Sequence, residues 1–207
     1  MVDAVIFAPH TLVVSRRIDA TRRARFHANA DAVGLKSWCF FDAIDGPSMW
    51  LETGKPSAVS RHKRLAPEPL SPGEVGCLLS HAAIWQSAAA LRIDWMAVLE
   101  DDVEINCGWP AWLSFFDALP RDWLMAHAAG DHEIEPERVN AFVSRVKWSY
   151  GTRFMLLSSE AIRMLAAMPV TMTEPADWML RPLFDTGRVY TPSHPLMRHR
   201  NDPGGMP

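Results

Sequence analysis

Cysteine is scarce in this 207-residue chain: Cys39, Cys77 and Cys107 are odd in number, far apart and outside any CxxC pairing. That pattern suggests neither a disulfide framework nor a structural zinc site, and the three thiols are expected to be reduced, buried fillers. No window approaches eighteen uninterrupted apolar residues, and the amino terminus, MVDAVIFAPH, has an acid where a signal peptide would carry basic residues. Neither a membrane-spanning helix nor a secretory leader is therefore expected, and a cytoplasmic protein is the simplest reading. A basic surplus is also missing, since the formal net charge is -3, so no nucleic-acid partner is expected. Internal repeats and low-complexity tracts are absent. What is present is an ordinary globular composition, 48% apolar and 22% charged, which at this length supports a single α/β domain over residues 1–207.

Hydrophobic periodicity then gives alternating elements. DAVIFAP or TLVV supplies a first strand. Asp19 is a candidate N-cap for a helix through ATRRARFHANADAV, ended by Gly34, with Phe26, Ala30 and Val33 on one face. WCFF reads as a second strand closed by DAIDG, and Pro47 to Leu70 as a long irregular stretch holding SRHKR. Ser71-Pro-Gly-Glu74 is a capping box with proline at the first helical position, opening a helix whose buried stripe is Val75, Leu78, Leu79, Ala82 and Ala89. Gly76, Ser80 and Ala83 form a second ridge, of small residues, along which another backbone can approach. Further on, WPAWLSFFDAL and SEAIRMLAAM read as helices and DWLMAH and GTRFMLLS as strands. EPADWMLRPLF reads as a short helix with Asp177 in its first turn, and the tail PSHPLMRHRNDPGGMP as too rich in proline and glycine for regular structure.

The stretch WMAVLEDDVEI poses the functional question. Trp95 to Leu99 has no polar member, as in a strand buried on both faces of a parallel sheet, yet it runs directly into Glu100, Asp101 and Asp102. Three adjacent carboxylates repel one another, so they need open solvent or a cation. In an open α/β sheet, ligands lie outside the carboxyl ends of the strands, which puts this triplet at the crevice. Residues 100 and 102 can face one pocket from an extended turn, and their hard oxygens suit Mg²⁺ or Mn²⁺ bridging phosphates. A solvated strand end remains the other reading of the triplet taken alone.

RRIDATRRARF, GLKSWCFFDAIDG, LSPGEVGCLLSHAAIWQSA, MAVLEDDVEI and YGTRFMLLSSEAIRML followed by EPADWML occur in an order and spacing that resembles glycosyltransferase family 25. This family contains bacterial lipopolysaccharide galactosyltransferases and related collagen-modifying enzymes. Ser15 and Arg16 stand where the family's opening strand end usually has asparagine and leucine. The resemblance implies a GT-A-like fold: a Rossmann-like, mostly parallel sheet flanked by helices, with a nucleotide-sugar half over about 1–105, an acceptor half over about 106–190 and a tail over 191–207. It implies inverting transfer of a sugar, usually galactose, from a UDP-sugar to a glycan or lipid-linked glycan. In that reading Asp102 and Glu100 are the metal ligands of a DxD-like motif with Mn²⁺ or Mg²⁺ as cofactor, and Asp177 is the base. Arg22, Asp45, His81, Glu100, Asp101 and Thr152 line the substrates.

Each candidate also has a plainer reading. His81 either contacts the donor diphosphate or is a satisfied core histidine, and Arg22 and Arg23 either fork onto phosphates or solvate a helix face. Asp45 either binds ribose or uracil or merely makes an Asp-Gly turn. SRHKR reads as a solvated charge run before an anion site, Trp109, Trp112, Phe115 and Phe116 as core before sugar platforms, and His194 and His199 as exposed before metal-ligating. Peripheral association with the inner face of a membrane suits an enzyme of lipid-linked glycans, although no basic amphipathic helix demands it. Two other functions stay open: a metal-dependent phosphoesterase or nucleotidyltransferase, and a non-catalytic relative that binds a sugar nucleotide.

Overall fold

The computed structural model describes residues 10–46, 70–106, 108–128, 131–132 and 134–199. DAVIFAP, the Pro47–Pro69 stretch with SRHKR, Cys107, the side chains of Trp109 and His199, and the end of the tail lie outside the described residues. In chain order come β1 (His10–Ser15), α1 (Ala20–Val33), β2 (Trp38–Asp42), α2 (Pro72–Ala90) and β3 (Trp95–Glu100). They are followed by β4 (Val103–Ile105), α3 (Trp109–Ala118), β5 (Met125–His127), β6 (Asp131–His132), β7 (Glu137–Arg138), β8 (Val143–Arg145) and β9 (Ser149–Tyr150). Last are β10 (Phe154–Ser158), α4 (Ser159–Ala166), a 3-10 turn (Trp178–Leu180), α5 (Arg181–Asp185), β11 (Val189–Pro192) and β12 (Met197–His199).

The result is an α/β fold with an eight-stranded sheet in the order β2-β1-β3-β10-β5-β11-β8-β7. β2, β1 and β3 run parallel, as the βαβ rhythm predicts, and β11 runs parallel to β5. β10 is antiparallel to both β3 and β5, and β8 to both β11 and β7, so the sheet is mixed rather than mostly parallel. Strand alternation sends successive side chains of β3 and β10 to opposite faces. Met96, Val98, Met155 and Leu157 join one core with Val75, Leu78 and Trp85 of α2 and Leu165 of α4. Ala97, Leu99, Phe154 and Leu156 join the other with Phe26 of α1 and Trp112 and Phe115 of α3. The apolar run of β3 is thus explained by burial on both faces. The α3 aromatics are core, with the Trp112 ring packed on Phe154 at 5.5 Å between centroids.

Local chemistry sets the helix ends. Gly34 takes the left-handed conformation (φ 69°) that ends α1, and the capping box of α2 is formed reciprocally by Ser71 and Glu74. Asp19 is not a side-chain N-cap. Its carboxylate is drawn instead to the guanidinium three residues earlier, accepting from Arg16 Nε (2.8 Å) and Nη2 (3.1 Å). Val75, Leu78 and Ala82 of the expected α2 stripe are buried, while Leu79 and Ala89 are only partly so. Trp85, Ile84 and His81 are buried too, because α2 is covered by α4 as well as by the sheet. Cys39 is exposed on the edge strand β2 rather than a buried filler, and Cys77 is intermediate. The tail corrects another expectation: Met197–His199 forms a strand against β4, whose backbone otherwise lacks a neighbour on that side. No helix among the described residues is long and apolar enough to cross a membrane.

The small-residue ridge of α2 behaves as its composition predicts. Ser80 Oγ donates to Gly76 O (2.6 Å) and accepts from Ile44 N (2.9 Å), so the chain after β2 lies directly on the helix. A Cβ on Gly76 would meet Ile44 O at 2.6 Å, whereas one on Gly73 would meet nothing within 4 Å. Gly76→Ala is therefore expected to destabilise by about 1–3 kcal/mol through overpacking. Gly73→Ala should be neutral or stabilise by up to about 1 kcal/mol through helix propensity. Denaturant midpoints read both variants, and equal midpoints would contradict the close packing.

Candidate functional site

Parallel pairing brings the carboxyl ends of β1, β2 and β3 to one edge of the sheet, at Ser15, Asp42 and Glu100. β10 runs the other way, so the residues that precede it, Thr152 and Arg153, start from the same edge; Glu100 N donates to Arg153 O (2.9 Å). The pleat then separates the acidic triplet. Met96 and Val98 face α2, so Glu100 continues on that side, and Asp101 turns to the side of α1.

Glu100 enters a pocket made by α2 and the start of β10. Thr152 Oγ1 donates to Glu100 Oε1, Cys77 Sγ lies 3.6 Å from Thr152 Oγ1, and His81 Nε2 lies 3.5 Å from Glu100 Oε1, an ion-pair rather than a hydrogen-bond distance. The His81 side chain is fully buried and neither ring nitrogen has a hydrogen-bond partner. Cys77, His81 and Glu100 offer donor atoms that all lie within 4.8 Å of one another. Burial works to raise the Glu100 carboxyl. His81, the Thr152 hydroxyl and the Arg153 charge outweigh it and hold Glu100 below the usual carboxylate range. Burial, with the Glu100 charge adding to it, pushes the Cys77 thiol up.

Asp101 and Asp102 are held from α1. Arg22 Nη2 lies 2.9 Å from Asp101 Oδ1 and 3.1 Å from Asp102 Oδ2, so one guanidinium spans two carboxylates. Ser15 Oγ donates to Asp101 Oδ2 (2.6 Å), and Arg23 donates to Ser15 Oγ (3.2 Å), to Ser15 O (2.8 Å) and to Asp42. Burial raises the Asp101 carboxyl, and the Ser15 hydrogen bond and the Arg22 charge only partly offset it. The arginines of RRIDATRRARF thus meet the acids of MAVLEDDVEI across β1.

Asp177 comes to this edge from the far side. Its Oδ2 accepts from Gly151 N (3.0 Å) and its Oδ1 from Trp178 N (3.1 Å), where it caps the 3-10 turn. Burial raises its carboxyl, the backbone donors pull the other way, and the negative charge of Glu100 adds to the rise. Gly151 adopts φ +86°, and its carbonyl lies 2.7 Å from Nε2 of the buried His127 at the end of β5. Gly151 and Thr152, adjacent in sequence, therefore tie Asp177 and Glu100 to one turn.

Of the residues singled out in sequence, Arg22, His81, Glu100, Asp101, Asp102, Thr152 and Asp177 share this edge. Asp45 is exposed, in the field of Arg16 alongside Asp101, and His194 is exposed in no ligand cluster found among the described residues. Sequence reasoning passed over Cys77, taken as a filler, and His127. For Cys77 a signal existed, because positions 77 and 81 are one helical turn apart and share a face. For His127 there was none, since its partner is a backbone carbonyl made available only by the left-handed turn at Gly151.

The sequence profile of Glycosyltransferase family 25 (LPS biosynthesis protein) matches residues 8–163. A Glycosyltransferase 25 family member from Aedes aegypti is 31% identical over 105 residues, covering 47% of this chain and 16% of that protein. Inactive glycosyltransferase 25 family member 3 from Homo sapiens is 29% identical over 126 residues, 56% of this chain and 21% of that protein. The chain therefore spans about a sixth to a fifth of the length of these relatives. Among solved structures, a glycosyltransferase involved in the glycosylation of the major capsid of PBCV-1 is similar at 14% identity and TM-score 0.41 over 92% of each chain.

The raised Asp177 carboxyl has a thermodynamic consequence. A carboxyl whose folded pKa lies above its unfolded one destabilises the fold once ionised, and this cost disappears as pH falls below the unfolded value. Asp177→Asn removes the ion but sets an amide NH2 against one of its two backbone donors, Gly151 N or Trp178 N, a cost that does not vary with pH. The stability of the variant relative to the parent should therefore fall as pH drops from 7 to below the ordinary aspartate range of about 4. Thermal melts of both proteins across pH test this; a difference that stays constant or moves the other way would contradict the burial argument.

Proposed function

Because this chain belongs to glycosyltransferase family 25, we propose that it is an inverting transferase moving a sugar, galactose first among candidates, from a UDP-sugar to a glycan or lipopolysaccharide acceptor. One observation carries the reading. The edge of the sheet holds an arginine-backed acidic strand end on one side and, bridged to it through Gly151–Thr152, a single orientable carboxylate with a raised pKa on the other.

Arg22 and Arg23 present guanidinium forks at the strand ends, the geometry suited to a diphosphate. Asp177 is the base: its backbone hydrogen bonds fix its orientation, and its raised pKa brings it nearer neutrality, where a base both accepts a proton and remains ionised. It takes the proton of the acceptor hydroxyl as that oxygen bonds to the anomeric carbon, while the bond from that carbon to the diphosphate oxygen breaks on the opposite face. Membership of the family suggests a divalent metal, and the hard carboxylate oxygens of Glu100 and Asp102 fit Mn²⁺ or Mg²⁺ in donor type. When bound there, such an ion would supply positive charge to the leaving diphosphate. Asp102 already shares Arg22, so the guanidinium and the ion draw on the same carboxylate. An acceptor attached to lipid would bring the protein to the membrane surface.

A second reading, a relative that binds a sugar nucleotide without turnover, is favoured by the inactive human relative. Incubation with Mn²⁺, a panel of nucleotide sugars and a glycan acceptor separates the two. The transferase should release nucleoside diphosphate in step with sugar transfer, and Asp177→Asn should lower kcat by about 10²–10⁴-fold while donor affinity is retained. Donor binding with no turnover, together with an Asp102→Ala variant that keeps its biological activity, would establish the second reading.

A further inference from the structure

We propose that Cys77, His81 and Glu100 form a site for a zinc-class transition-metal ion, which shares Glu100 with the carboxylate pair Glu100 and Asp102 but differs from it in donor chemistry. Cys77 and His81 are four residues apart on α2, so both project from one face, and Glu100 enters from the end of β3 opposite them. Their donor atoms already lie within 4.8 Å of one another. Ligands around a tetrahedral Zn²⁺ with bonds of about 2.0–2.3 Å are separated by roughly 3.3–3.8 Å, so closing the set needs shifts of about an ångström. The His81–Glu100 pair, at 3.5 Å, is at that separation already.

An independent observation comes from His81. Its side chain is wholly buried, yet neither ring nitrogen has a hydrogen-bond partner. A buried imidazole whose only polar contact is a 3.5 Å ion pair from Nε2 to Glu100 is costly, and a cation between the two offers the nitrogen a bond. The donor set decides the class of ion. Thiolate and imidazole select Zn²⁺ or Co²⁺ over Mg²⁺ and Ca²⁺, which favour oxygen alone. On binding, the Cys77 Sγ–H bond breaks, its proton leaves to solvent and the sulfur electron pair forms the metal bond. Thr152, which donates to Glu100 and touches Cys77, orients the carboxylate from behind. Three protein ligands leave a fourth position. Cys77 and Glu100 are both partly exposed while His81 is buried, which puts that position toward the crevice.

The inference does not depend on sugar transfer, and its test reads metal rather than turnover. The full chain, stripped with chelator and carrying Cys39→Ser and Cys107→Ser so that Cys77 is the sole thiol, is titrated with Co²⁺. The expected result is a near-ultraviolet thiolate-to-cobalt charge-transfer band that equimolar Zn²⁺ abolishes and excess Mg²⁺ does not. Cys77→Ser should remove the band, and His81→Gln should weaken cobalt uptake at least about tenfold. Absence of cobalt uptake, cobalt uptake without the charge-transfer band, or a band lost to Mg²⁺ would each overturn the site. Should Cys77→Ser fail to fold, Zn²⁺ must slow maleimide labelling of Cys77 in the two-serine protein, and unchanged labelling overturns it equally. A parallel thermal-shift titration with UDP-sugars and Mn²⁺ bears on the transferase reading alone, so the two can fail separately.

Discussion

Everything at the functional edge depends on how one strand end accommodates three consecutive carboxylates. Side by side in a low-dielectric setting they repel; the pleat at the end of β3 eases this by sending Glu100 toward α2 while Asp101 turns toward α1, and the Asp102 and Glu100 charges still add to the rise of the Asp101 carboxyl. Each side then supplies its own compensation. On one it is His81, Thr152 and Arg153; on the other it is Ser15 and the shared Arg22. The two helices are thereby coupled to the strand electrostatically as well as by packing, and the arginine-rich helix and the LSH helix have complementary reasons to flank the same acids.

That arrangement was partly legible beforehand. A nonpolar run closed by acids, a capping box and a ridge of small residues are local signals with direct physical causes, and each led to the element found. Where reading failed, the deciding interaction was distant. Asp19 has the chemistry of a cap but yields to a guanidinium, which binds a carboxylate more strongly than backbone N–H groups alone. β8, β11 and β12, of three to four residues, have too few positions for alternation to show, and their pairing is set by partners far along the chain. Gly151, just before the antiparallel β10, takes a left-handed conformation that no neighbour in sequence announces.

The candidate base illustrates why burial and function coincide here. Asp177 is fixed by two backbone donors and yet lies above the ordinary carboxylate range, because burial and a nearby negative charge outweigh those donors. Local stability is given up at this carboxyl, and perturbed groups of this kind cluster where chemistry is done. The fold can bear it: the core under this turn is anchored by fully buried Leu157 and Leu180.

The strand that follows the acids shows how the crevice rim is kept from associating with other chains. The Asn29 amide donates to Ile105 O and accepts from Ile105 N, standing in for a neighbouring strand on one flank, while β12 occupies the other. One edge of β4 is therefore covered along its length and the other is interrupted at Ile105. A foreign extended peptide finds no uninterrupted row of amides on β4 beside the acidic turn, so the mouth of the cleft can stay open to solvent without becoming a template for aggregation.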